Sequence, residues 1–370
     1  MDLFYLLSRR KSIFSSVDMM TTTKKMDAVR FYSPEDIRFE QIEIPSIGPD
    51  EVLVKVGAAL TCGTDMKAFR QGHPVLLGKN YPSPFGHECA GTIHQVGEHV
   101  TQFQQGMRVV AANSAPCGDC FFCERDQFNL CEKLELLNGA YAQYIRIPKR
   151  IVEKNMYVIP DSMPFETAAL TEPLACAVHA FHRLGLKKGN HVVILGCGIM
   201  GLLFTAVAAK HGVDIVAVGR NEDKLDRALE LGARKAINAK NVEDTIDAVI
   251  QESPEQRGAD VVLEAVGQPQ AWKEAFSMTR KGGTVCLFGG CKKGSTFELD
   301  THRVHYQEVK IEGVFHHTPQ YFQLALEYLS EGLFDPSILV TEKIDLEKVP
   351  EFFSENLNAS PFKVAVMPWK

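Results

Sequence analysis

The sequence predicts an α/β fold built on a doubly wound parallel sheet and joined to a mostly-β portion. Three observations carry this. From Leu186 onward six strand candidates alternate with helical segments, the pattern of a parallel sheet covered on both faces. Residues 28–150 instead show short strand-like runs divided by turns, with little helical periodicity. And one buried strand, HVVILG, runs through GCGIMG (Gly196–Gly201) straight into a helix.

In the first portion VLVKVGAA (Val52–Ala59), GTIHQVG (Gly91–Gly97), RVVAA (Arg108–Ala112) and YAQYIRI (Tyr141–Ile147) read as strands. In the second, HVVILG is followed by a helix over Ile199–Lys210, a strand over Asp214–Gly219 and the helix DKLDRALELG, stopped by Gly232. Then come a strand at Lys235–Asn238, the helix VEDTIDAVIQE, a strand at Ala259–Gly267, a helix over Gln270–Arg280, and strands at Thr284–Gly290 and Val309–Phe315. After Thr318 a helical stretch leads to a last strand, FKVAVM.

A length of 370 residues fits two or three domains. An apolar content of 45% is that of a soluble globular chain. The formal charge of −6 argues against a nucleic-acid or anionic-membrane surface as partner. No apolar run approaches the ~20 residues of a membrane span. Residues 1–25 read as a disordered extension, because the apolar patch precedes Arg9, Arg10 and Lys11, the wrong order for a secretory signal. Met26 then opens the folded part. Without export the chain is expected in the cytoplasm, where its ten cysteines serve as metal ligands or core residues more than as disulfides.

A G-x-G-x-x-G string at a strand-to-helix turn is the dinucleotide-binding fingerprint. Here Gly196, Gly198 and Gly201 serve the tight turn, the approach of a pyrophosphate and helix–strand packing. Ile199 and Met200 complete the turn, and the helix N-terminus faces the phosphates. The next strand ought to end in an acid for the ribose 2′-hydroxyl of NAD. It ends in Gly219 and Arg220, which favours NADP, because an arginine pairs with a 2′-phosphate where a carboxylate repels it. Val266, at the end of a later strand, is counted with the cofactor residues.

Two sets of residues suggest metal. Cys117, Cys120, Cys123 and Cys131 are spaced C-x2-C-x2-C-x7-C. Bacterial ferredoxins end in C-x3-C-P, whereas here seven residues intervene and Glu132 follows. Four thiolates with no open position describe a closed structural zinc site. The second set is scattered: ALTCGTD (Ala59–Asp65), FGHECAG (Phe85–Gly91) and LTEPLA (Leu170–Ala175) contain Cys62, His87, Glu88 and Glu172. Cysteine, histidine and glutamate with one position open are the ligands of a catalytic zinc. Spacing alone does not separate them from core residues.

C-G-T-D, G-H-E, the four-cysteine lobe, E-P-L-A and the glycine fingerprint, in that order, resemble the zinc-dependent medium-chain alcohol dehydrogenases, and within them the sorbitol (polyol) and threonine dehydrogenase branch. The resemblance runs from about Met26 to the C-terminus. It implies a Rossmann sheet (175–318) inserted in a GroES-like, β-rich catalytic domain (26–174 and 319–370). It implies hydride transfer between a secondary alcohol of polyol or sugar-like type and NAD(P), two zinc ions per chain, and a homo-oligomer, dimer or tetramer. Oxidation of a hydroxy amino acid, as in L-threonine 3-dehydrogenase, is the alternative substrate class. A catalytically silent zinc protein of the same fold is the alternative of another kind.

By the same resemblance Cys62 and His87 bind the catalytic zinc, with Glu88 or Glu172 as the third protein contact. Thr64 relays the substrate's proton and Asp65 orients His87. Lys363 either meets the cofactor pyrophosphate or is a solvated surface lysine. One position departs from the pattern. The branch usually has histidine five residues after the zinc cysteine, finishing a proton relay, and here stands Lys67: a fixed charge near the alcohol, a contact to a substrate oxygen or phosphate, or a lysine pointing to water while Thr64 hands its proton to the cofactor ribose. His316 and His317 in GVFHHTPQY are either donors to substrate hydroxyls or surface or interface histidines.

Overall fold

Five consecutive buried residues, His191–Leu195, form the centre of a six-stranded sheet. A run with no polar face needs cover on both sides, and helices supply it. In spatial order the strands are Lys235–Asn238, Asp214–Gly219, His191–Leu195, Ala259–Glu264, Thr279–Leu287 and Lys310–Gly313. All neighbours pair in parallel. The order reverses direction beside His191–Leu195, which is where an open α/β sheet leaves a crevice for a ligand. The computed structural model describes residues 24–78, 80–357, 359 and 361–369. The expected disordered extension therefore lies outside the described residues, except for Lys24 and Lys25, and Lys25 already opens a strand.

The rest of the chain makes a mixed seven-stranded sheet. Its order is Met156–Val158, Arg108–Ala111, Glu88–Val96, Val52–Leu60, Lys363–Met367 and Val340–Asp345, with Tyr144–Ile147 also paired to Val52–Leu60. The last strand returns from far along the chain, so that Ala365 pairs with Leu60 and Val366 with Ala59. A hairpin of Lys25–Ser33 and Asp36–Glu43 flanks this sheet. Ser114–Ala115 and Glu135–Leu136 pair at the base of the four-cysteine lobe. Among the described residues no helix is long and apolar enough to cross a membrane.

Several boundaries differ from the sequence reading, for identifiable reasons. The helix expected from Val242 starts at Thr245, because the Asp244 side chain caps it by accepting from the amides of Ile246 (2.7 Å) and Asp247 (3.0 Å). The strand expected from Tyr141 starts at Tyr144. The Tyr141 ring is instead packed fully inside, among Phe85 and Phe353. Helix Gly63–Gln71 and helix Thr171–Arg183 were not expected at all. Each begins at a site motif, CGTD or TEPLA, whose residues register as chemistry before they register as helix.

Because Asp244 satisfies two orphan amides, Asp244→Ala should destabilise the unit built on the parallel sheet by about 1 kcal/mol. A lowered urea midpoint with unchanged activity of the folded protein is the expected result.

Candidate active site

Cys62 lies two residues past the strand Val52–Leu60 of the mixed sheet and caps the helix Gly63–Gln71, its sulfur accepting from the Thr64 amide at 3.4 Å. His87 and Glu88 lie where the next strand, Glu88–Val96, begins, directly across from Leu60. Antiparallel register thus brings the two motifs together, and the Cys62, His87 and Glu88 ligand atoms all lie within 4.8 Å of one another. Asp65, one turn into the helix, is fully buried and its Oδ1 is 2.8 Å from His87 Nδ1. Its other oxygen accepts from the Tyr141 hydroxyl at 2.6 Å. This carboxylate holds the imidazole by Nδ1 and leaves Nε2 for a metal, a common way of fixing a ligating histidine. Burial opposes charge on His87, but Asp65 and the Cys62 sulfur beside it keep its pKa well above the ordinary value.

Glu172 stands in the first turn of the helix Thr171–Arg183, where the helix dipole favours a carboxylate. Its Oε1 accepts from Asn113 Nδ2 at 2.8 Å. In the metal-free protein its pKa is pushed up to about 7, first by burial and then by the charge of Glu88. Lys363 is placed elsewhere than a surface lysine would be. It is 2% exposed and donates to both carboxylate oxygens of Glu88. Burial disfavours its charge, yet Glu88 and Cys62 hold its pKa above the usual lysine value. The ammonium reaches inward because Lys363 opens a strand that lies beside Val52–Leu60 in the sheet. His317 is not a surface group either, and His316 is half-buried. His317 is 2% exposed and its Nε2 is 2.9 Å from Asn113 Oδ1, while His316 Nε2 is 2.6 Å from Ser114 Oγ.

Thr64 and Lys67 lie one turn apart on the exposed side of the helix Gly63–Gln71. Asn113, Ser114 and Tyr141 were missed by the sequence reading. Asn113 and Ser114 directly precede the cysteine lobe, and Tyr141 passed as a strand residue. None carries a motif, and only the fold shows what they touch.

The four lobe cysteines converge with their sulfurs within 4.8 Å of one another. Cys117 to Cys123 and Cys120 to Cys131 are 3.9 Å apart, and Cys117 to Cys131 is 3.4 Å. A tetrahedron with Zn–S bonds of about 2.3 Å has edges of about 3.8 Å, so the spacing suits one zinc ion. Disulfides are absent among the described residues. Amide donors at Cys123 and Glu132 lower the Cys120 thiol to about 6, while the hydrogen bond to Asp119 raises Cys117 to about 12 and burial raises Cys123, so the four thiols share their protons unequally.

At the crevice of the parallel sheet lies a cleft of about 710 Å³. Gly196, Gly198, Gly219, Arg220 and Val266 line it, together with Lys224 and Lys240. Ile199, Met200 and Gly201 sit behind this wall in the first turn of the helix. A Cβ on Gly201 would stand 2.0 Å from the Gly196 carbonyl oxygen, so only glycine lets the helix approach. At Gly219 a Cβ would meet Cys197 Sγ and Leu225 at 3.2 Å. Packing therefore disfavours a larger side chain, such as an acid, at this position.

Comparison with known proteins agrees with this geometry. Residues 48–161 match the alcohol dehydrogenase GroES-like domain and residues 200–331 the zinc-binding dehydrogenase family. The chain is 32% identical to a sorbitol dehydrogenase of Bacillus subtilis over 94% of its length and 99% of the relative.

The chain belongs to the zinc-dependent medium-chain alcohol dehydrogenases.

Within this family it sits in the sorbitol and threonine dehydrogenase branch. An L-threonine 3-dehydrogenase of Bacillus licheniformis is 36% identical over 67% of this chain and 71% of that one. A zinc-binding dehydrogenase of Sinorhizobium meliloti, solved bound to NADP, superposes with a TM-score of 0.85 at 29% identity, covering 93% of this chain and 100% of that one. This dehydrogenase is thus an oxidoreductase that uses zinc and NAD(P), with a Rossmann sheet and a GroES-like portion. The residues fit both groups: thiol, imidazole and carboxylate suit a catalytic zinc, and the cleft at the strand-order reversal suits a dinucleotide.

The raised Glu172 pKa has a signed consequence. The folded metal-free dehydrogenase binds this proton more tightly than the unfolded chain, so the group destabilises increasingly as pH rises from about 4.5 through about 7. After chelator treatment, Glu172→Gln should raise the melting temperature, and more at pH 8 than at pH 5.

Proposed function

We propose that this dehydrogenase interconverts a secondary alcohol of a polyol or sugar-like substrate and the matching ketone, with NADP preferred and two zinc ions per chain. The observation that carries the reading is the convergence of Cys62, His87 and Glu88 within 4.8 Å, with Glu172 nearby. In this reading Cys62 and His87 hold the catalytic zinc with Glu88 or Glu172, and Cys117, Cys120, Cys123 and Cys131 hold the structural one. The catalytic part is 26–174 with 319–370, and the cofactor part is 175–318. The pairing of Ala365 with Leu60 supports that division. We include a cytoplasmic homo-oligomer, and the ten unpaired cysteines favour a reducing compartment.

When bound, zinc supplies the Lewis acidity that makes a hydroxyl acidic near neutral pH, and nicotinamide supplies the hydride acceptor. Asp65 keeps His87 in the tautomer that leaves Nε2 bare. Lys363 offsets the charge of Glu88, so that a thiol, an imidazole and two carboxylates can share a buried space. Thr64 Oγ1 takes the substrate's hydroxyl proton and delivers it outward. Lys67 contributes a fixed positive charge near the alcohol instead of the usual imidazole step. For the cofactor, Arg220 is exposed on the cleft wall and makes no ion pair among the described residues, which leaves it available to a 2′-phosphate.

Metal analysis together with a substrate screen tests the proposal. Two zinc ions per chain are expected, one in Cys62→Ala with activity lost, and one in Cys120→Ala with stability lost first. A single zinc ion in the native dehydrogenase, or turnover of threonine but no polyol or sugar alcohol, sinks the reading.

Arg220→Ala should cut kcat/KM for NADP by about 10- to 100-fold, the range of one or two charge-assisted hydrogen bonds, and leave NAD almost untouched. Steady-state kinetics with both cofactors measure this.

A further inference from the structure

Glu172 is held by two side chains for which the roles above have no use. Asn113 lies two residues past the strand Arg108–Ala111, and His317 four residues past the edge strand Lys310–Gly313. Asn113 and Glu172 are 7% exposed and His317 is 2%. Ionised Glu172, the form a metal binds, only accepts hydrogen bonds, so the amide Nδ2 of Asn113 is the end that faces Glu172 Oε1, at 2.8 Å. That fixes the other end. Asn113 Oδ1 is an acceptor, and His317 Nε2, 2.9 Å away, is its donor. The same nitrogen is 3.7 Å from Glu172 Oε1. Because Asn113 Oδ1 can only accept, the imidazole carries a hydrogen on Nε2, the side that meets Asn113.

The backbone that carries His317 is itself fastened on two sides. His316 has φ of 59°, a left-handed conformation uncommon for a residue with a side chain. Its ring meets Ser114, next to Asn113, and its carbonyl accepts from His179 Nδ1 at 2.7 Å. His179 lies two turns beyond Glu172 on one face of the same helix. The strap is therefore tied both to the loop of Asn113 and to the helix of Glu172, the kind of support that fixes a site side chain.

The two glutamates end up in different situations. Both oxygens of Glu88 are taken by Lys363. Glu172 has Oε1 engaged by Asn113, while Oε2 makes no hydrogen bond among the described residues. Its ligand atoms group with those of His316 and His317, apart from the Cys62, His87 and Glu88 set. We propose that Asn113 and His317 are positioning residues for Glu172. They anchor one oxygen away from the metal set and present the other to its open side, which keeps the carboxylate from collapsing into the Glu88–Lys363 pair. The proposal rests on the reading of Cys62 and His87 as zinc ligands.

The test uses dehydrogenase with zinc in the cysteine lobe and cobalt(II) in the other site, whose visible bands report the surroundings of the metal. Asn113→Ala and His317→Phe should each shift those bands and lower kcat by about 10- to 100-fold, the usual cost of losing a partner behind a metal ligand, with KM for the cofactor unchanged. His317→Gln, which keeps an N–H to offer Asn113 Oδ1, should restore both readouts most of the way. Asn113→Ser is the second variant if Asn113→Ala does not fold. Unchanged bands and kcat in the folded variants overturn the proposal, as does a His317→Gln protein no better than His317→Phe, which would make the role one of packing. A native protein whose cobalt bands ignore Cys62→Ser overturns the zinc reading, and the positioning proposal with it.

Discussion

Burying two carboxylates beside a thiol and an imidazole is costly unless positive charge or hydrogen-bond donors come with them. In this dehydrogenase one ammonium meets that requirement. Lys363 grips both oxygens of Glu88 across 275 residues of sequence, and much of the architecture follows from getting it there. The strand Lys363–Met367 must enter the mixed sheet beside Val52–Leu60, so the chain must return to its first half after completing the parallel sheet. The insertion of one fold within the other is the topological form of that demand.

The remaining groups are held by chains of side-chain hydrogen bonds. Tyr141 supports Asp65 and Asp65 supports His87; Asn113 supports Glu172 and His317 supports Asn113. These chains of hydrogen bonds converge on the same small volume from both sheets. Networks of this kind specify geometry because each member loses its partner if any other moves. The Lys363–Glu88 pair offsets charge, and the hydrogen-bond chains set where each group points.

Legibility from sequence divided along the same line. The strands of the parallel sheet and the helix Ile199–Lys210 were readable because apolar runs and the glycine turn are local signals. Cys62, His87, Glu88 and the lobe cysteines were readable as residue types with metal-binding chemistry. Lys363 was not, because a lysine in an apolar strand looks the same whether its head group meets solvent, a phosphate or a buried carboxylate. Asn113 was not, because an amide between a strand and a loop carries no local signal. His316 and His317 were left open for want of a partner, and that partner, the loop 113–114, lies about two hundred positions away. At Gly219 the sequence offered a cofactor argument only, and packing against Cys197 adds a second cause.

The lobe and the buried site also differ in how far along the chain their parts are drawn from. All four lobe cysteines fall between Cys117 and Cys131, and the Ala115–Glu135 pairing closes the loop behind them. A growing chain can present that whole ligand set soon after it leaves the ribosome. Cys62, His87 and Glu88 emerge earlier still, yet the countercharge of Glu88 arrives only with Lys363. During synthesis Glu88 is therefore without this partner until every strand of the parallel sheet has been made. The buried site is thus assembled from segments on both sides of the parallel sheet, whereas the lobe draws its four cysteines from a single short loop.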